Sequence, residues 1–212
     1  MVSEGREIKY VQPKQSRARG SMTSEREEIR EAYLVKARHE INNLVERGVV
    51  MDGNAFSSVL LIKGDFENSK GAQAEKSSEH QPLLSDAESK ALHAALQALG
   101  YAPEDWMVLS TICADGSNLK NSLLREAITT LDPETLVLLD EPAAASVREA
   151  YAAELAELPN FDDAMLRPGT LVTILGMRVL ALGGFAAALG DSHQKQIMWH
   201  YLKSIPPLGE PY

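Results

Sequence analysis

Four short apolar runs constrain this chain more than any other feature: SSVLLIKG (57–64), WMVLSTIC (106–113), TLVLLD (135–140) and the second half of LVTILGMRVLAL (171–182). They are bounded by turn-forming residues and lack the polar alternation of a half-exposed strand, so they read as strands buried on both faces. Segments with helical spacing lie between them. Ser85 and Glu88 stand at capping-box distance and open ESKALHAALQAL, which ends at Gly100. Leu119, Leu123, Leu124 and Ile128 predict a helix that breaks at Asp132-Pro133. Pro142 fits the first turn of a helix expected to reach about Leu158, and a closing helix opens near Asp191 and stops at Pro206-Pro207. An amphipathic first helix is predicted from Ser24 to about Arg47, with Ile29, Tyr33, Ile41, Leu44 and Val45 on its apolar side.

Buried strands alternating with helices predict an α/β fold: a three-layer α/β/α sandwich around a mostly parallel, four-stranded sheet. One antiparallel edge strand is expected before the turn at Gly176. Length and composition suit a single domain over residues 23–212, preceded by a basic, flexible segment at 1–22. Asp65–Pro82, polar and without apolar periodicity, is expected to form a long mobile loop.

The net charge of -9 is unevenly spread: residues 1–20 hold five basic and two acidic side chains, so the rest, with 16 basic and 28 acidic groups, stands at -12. A body with that balance repels a polyphosphate unless its cations gather on one face, so nucleic acid is disfavoured as a partner. A single cysteine, Cys113, excludes an internal disulfide and any cysteine-held metal cluster. No run approaches the roughly 20 apolar residues that span a bilayer, and the first twenty residues lack the apolar centre of a secretory signal. A cytoplasmic protein without membrane contact is expected.

Ligands of open parallel sheets bind beyond the carboxyl ends of the strands. The residues there are Gly64-Asp65-Phe66, Thr111 to Asp115, Asp140-Glu141-Pro142 and Gly183-Gly184-Phe185, which include four acids and no histidine. No GxxxxGK[ST] loop is present, and no GxGxxG turn follows the first strand. The five histidines are dispersed, and His193 and His200 lie too far apart on one helix to share a metal. Adjacent acids at Asp140-Glu141 and Asp162-Asp163 read as helix starts rather than cation sites. No cofactor or metal is expected.

From about Val59 to Ile205 the chain resembles the uracil-DNA glycosylase superfamily, especially its iron-sulfur-containing microbial branch. ALQALGYAPEDWMVLSTIC is similar to that family's second helix and strand, LREAITTLDPETLVLLDEPAAASV to its next helix, strand and helix, and SHQKQIMWHYLKSIPPL to its closing helix. The resemblance also implies where chemistry has been lost. Phe66 stands where many members place a water-positioning Asp or Asn, in a first motif that here reads Gly64, Asp65, Phe66, Glu67. The uracil-reading Asn falls on or beside Thr111, the His-Pro-Ser motif falls on Gly184, Phe185 and Ala186, and the cluster cysteines are missing. Gly64, Asp65, Phe66, Thr111, Asp115, Gly183, Gly184 and Phe185 would then form the rim of a vestigial pocket.

The resulting expectation is a catalytically inactive, glycosylase-like adaptor that binds another protein. A small accessory subunit of the bacterial replicative clamp loader, with a degenerate glycosylase-like fold, is a precedent in kind. The contact elements expected are the N-terminal helix, the loop from Asp65 to Pro82 and the PPLGEPY tail. The alternatives are a divergent glycosylase or nucleic-acid hydrolase using Asp65 or Asp115, and a small-molecule or nucleotide sensor.

Overall fold

The computed structural model describes residues 22–64, 82–101 and 106–206. The six strands are β1 (Met51–Gly53), β2 (Val59–Lys63), β3 (Met107–Ser110), β4 (Thr135–Leu138), β5 (Leu171–Ile174) and β6 (Met177–Ala181). They form one mixed sheet in the order β1-β3-β2-β4-β6-β5. The pairs β3·β2, β2·β4 and β4·β6 are parallel, and β1 and β5 close the two edges antiparallel to their neighbours. The α/β class is as expected, but the sheet is larger than the four strands and one edge strand predicted. β1 is the strand that periodicity missed: three residues are too few to show a pattern, and their pairing with β3 (Met51 opposite Leu109) arises only in the folded chain.

The described helices are α1 (Met22–Glu46), α2 (Asp86–Ala98), α3 (Asn121–Leu131), α4 (Glu141–Ala150), α5 (Ala152–Leu155), α6 (Phe161–Ala164), α7 (Phe185–Ala188) and α8 (Ser192–Leu202). Alternation along the parallel strands sends residues into two cores. Leu60, Ile62, Leu136 and Leu138 pack with α1, α3 and α4 on one face. Val59, Leu61, Val137 and Leu180 pack with α2, α7 and α8 on the other. Every residue of β2, β3 and β4 is buried, as the unbroken apolar runs require.

Local chemistry fixes the helix ends. Ser85 accepts from the Glu88 N–H while Glu88 reaches back to the Ser85 backbone, completing the predicted capping box of α2. Asp140 caps α4, and Asp191 caps α8 by accepting from the Gln194 N–H. The helix expected to run to Leu158 instead breaks at Tyr151, whose φ is -118°. Tyr151 is 2% exposed, with the Arg125 guanidinium 4.7 Å from its ring centroid. Burying that ring favours the break over a continuous helix. The first helix also departs from expectation: Ile41 and Leu44 are buried, but Ile29 is 51% and Tyr33 71% exposed. Its periodic apolar residues therefore do not all face one core.

Candidate functional site

The strand order places β2 between β3 and β4, so the chain leaves β2 toward β3 and leaves β4 toward β6 in opposite directions. The crevice between the carboxyl ends of β2 and β4 is therefore the topological switch point, where such sheets hold ligands. Here it is occupied by the protein's own groups. The Gly64 N–H donates to both Asp140 carboxylate oxygens at 3.0 Å, and the Ala143 N–H donates to Asp140 Oδ1 at 2.8 Å. Asp140 is 9% exposed, so its charge is shared between a helix N-terminus and the end of a neighbouring strand.

Packing closes the crevice further. A β-carbon on Gly64 would lie 2.7 Å from Pro142 Cβ, and 2.8 Å from both Ala143 N and Thr111 Oγ1. Sheet hydrogen bonding also continues past the named strands. Thr111 N–H donates to Lys63 O and Leu139 N–H to Ile62 O, both at 2.9 Å. Phe185 N–H donates to Leu139 O at 2.8 Å, and Asp140 pairs with Gly184 as an antiparallel bridge.

Of the expected rim residues, Gly64 and Thr111 meet beside Asp140, and Gly184 pairs with it. Gly183 follows β6 with φ at +79°, and a β-carbon there would come 2.4 Å from Pro168 Cγ. Asp115 is not brought to the crevice. It sits in the turn of the 112–118 hairpin, exposed, accepting from Ser117 Oγ at 2.6 Å and the Ser117 N–H at 2.9 Å. Those hydrogen bonds, the hydroxyl's foremost, hold its carboxyl below the usual carboxylate range. Phe185 is 2% exposed and packs into the core under α2 and α8. Asp65 and Phe66 lie outside the described residues, as do most of the loop expected at 65–82 and the tail beyond Pro206.

Two features escaped the sequence reading. The first is a buried ion pair: Lys63 Nζ, at the end of β2, donates to Glu88 Oε1 at 2.9 Å and Oε2 at 2.8 Å, both side chains being 2% exposed. Capping-box spacing found Glu88, but nothing in the sequence links it to a lysine 25 positions earlier. The second is an apolar groove of about 570 Å³ between α2 and α8. Ala87, Ala91, Ala94 and Ala98 line one wall, and Met198, Trp199 and Leu202 the other. The signal for it was present in α2, where alanines recur beside the buried Leu92 and Leu96 at helical spacing. Among the described residues no cluster of three or more His, Cys, Asp or Glu is placed to hold a metal ion, and no helix is long and apolar enough to cross a membrane.

The chain matches no family model and no curated protein.

Proposed function

We propose that this chain is a catalytically inactive, uracil-DNA glycosylase-like module that acts as an adaptor by binding another protein. The observation that carries this reading is the Asp140 carboxylate at the switch point, bound to the backbone of Gly64 and Ala143 where a ligand would sit. A glycosylase flips a nucleotide into a pocket and recovers the unstacking energy, a few kcal/mol, from hydrogen bonds to the base and contacts to phosphate. Thr111, Gly184 and Phe185 stand in place of the family's base-reading and charge-stabilising residues. Thr111 is packed against Gly64, and the Phe185 ring is in the core. The acidic body offers a polyphosphate little attraction. Exposed apolar surface that a partner could cover includes the α2–α8 groove and Ile29, Tyr33 and Val35 on α1.

The test is a titration of the protein into labelled single- and double-stranded uracil-containing DNA at low salt, scoring binding and base release together. The expected result is no release and no binding beyond the salt-sensitive background. Release that disappears in Asp65→Asn, with folding intact, would replace this reading with a divergent repair enzyme. A nucleotide or small metabolite that raises the melting temperature in proportion to its concentration would replace it with a sensor.

A further inference from the structure

The groove's lining and charge say what kind of partner fits it. Its α8 wall carries Trp199 and Met198, residue types enriched where proteins meet. Each wall also contributes one lysine, Lys90 from α2 and Lys195 from α8. Both are exposed, and neither joins an ion pair among the described residues. A third cation, Lys203, sits with its Nζ 5.7 Å from the Trp199 ring centroid. Cations gathered around one apolar groove are notable in a body whose net charge outside the first 20 residues is -12.

Lys90 lies four residues into α2 and Lys195 three residues into α8, counted from their first residues. Both lysines line the groove from the early part of their helices, and Ala98 and Leu202 line it from the last residues of α2 and α8. We infer that this groove receives an amphipathic segment of the partner protein, with bulky apolar side chains against Met198 and Trp199 and a carboxylate between Lys90 and Lys195. The mode is that of a helix laid in a groove, where apolar anchors supply affinity and rim charges supply orientation and on-rate. The inference rests on the adaptor reading and gives that partner its chemistry.

The experiment pans a phage-displayed random peptide library against the full chain and measures the recovered peptides by fluorescence anisotropy. Expected are peptides with two or more bulky apolar residues at helical spacing and Asp or Glu beside them. Binding should weaken roughly tenfold in the double variant Lys90→Glu/Lys195→Glu, less in the Gln pair, and vanish in Ala94→Glu. Both lysines and Ala94 are exposed, so these variants should fold, which circular dichroism verifies. No recovered peptide, peptides without acids, or equal binding to Ala94→Glu would each overturn the inference.

Photo-crosslinkers at Ala94 and at Tyr33, introduced in the native host, separate the two levels of the argument. A protein captured from Tyr33 but not from Ala94 would remove the groove and leave the adaptor. Capture from neither would remove both.

Discussion

Lys63 and Glu88 form a bidentate ion pair, 2.8 and 2.9 Å long, with both side chains 2% exposed. Lys63 ends the first parallel strand and Glu88 lies in the first turn of α2, so the pair fastens the end of β2 to the start of α2. Glu88 also accepts from the Ser85 N–H and hydroxyl, both at 2.8 Å. One carboxylate thus satisfies a buried ammonium and a helix start together.

Removing one partner of a buried pair leaves an uncompensated charge in a low-dielectric interior. Glu88→Leu is expected to destabilise the fold by about 3–5 kcal/mol, read from the urea midpoint. Replacing both, as Lys63→Met/Glu88→Gln, should recover a large part of that loss, because the glutamine retains a capping oxygen and no charge is stranded. A double variant as unstable as Glu88→Leu would contradict this account of the pair.

The Asp140 closure predicts a graded series. Asp140→Ala forfeits the cap of α4 and strands the Gly64 N–H, which together should cost roughly 2–4 kcal/mol. Asp140→Asn keeps an acceptor and should cost less. Hydrogen exchange at the Gly64 amide should accelerate more in the Ala variant than in the Asn variant. Equal exchange in the two would show that the carboxylate does not hold this crevice shut.

Gly64 and Gly183 should resist substitution for different reasons. A methyl group on Gly64 meets backbone and ring atoms at 2.7 and 2.8 Å, so Gly64→Ala must shift α4 away from β2. At Gly183 the left-handed φ of +79° adds its own cost to a 2.4 Å approach to Pro168. Each variant is expected to lose at least about 1–3 kcal/mol in chemical denaturation. Pro168→Ala should rescue part of the Gly183→Ala loss and none of the Gly64→Ala loss.

Two ion pairs set a modest acid dependence. Arg47 donates to Glu126, joining α1 to α3, and Arg125 donates to Glu154, joining α3 to α5. These side-chain hydrogen bonds hold the carboxyls of Glu126 and Glu154 below the usual range. A carboxylate with a lowered folded-state value contributes stability above its unfolded value, about 4.3, and loses it as pH falls through the folded one. Stability should therefore decline as pH drops below about 4.3, and Glu126→Gln/Glu154→Gln should flatten that limb. Both pairs are solvent-accessible, so the slope should weaken further at high salt.

How much of this was legible in the sequence depends on how local the signal is. The apolar runs at 57–64, 106–113 and 135–140, the capping box at Ser85 and Glu88, and the cap at Asp191 were readable because each is a statement about neighbours in the chain. Gly64, Thr111, Gly183 and Gly184 follow the ends of β2, β3 and β6 in the chain, but which of these groups meet is not written in their local sequence. Asp115 turned into its own hairpin, and Phe185 turned into the core. Asp140 was read as a helix start, and so it is, but its second role reaches Gly64, 76 positions away.

By itself, then, the sequence determined the α/β class, the four buried parallel strands and the starts of α2, α4 and α8, because burial pattern and capping are encoded within a few residues. Only the tertiary structure decided that the sheet has six strands, that Asp140 ties the end of β2 to the start of α4 at the switch point, that Lys63 finds Glu88, and that α2 and α8 leave a groove between them. Those features are contacts between segments distant along the chain. Which groups meet there is settled by packing two apolar cores against one sheet, and no local periodicity carries that information.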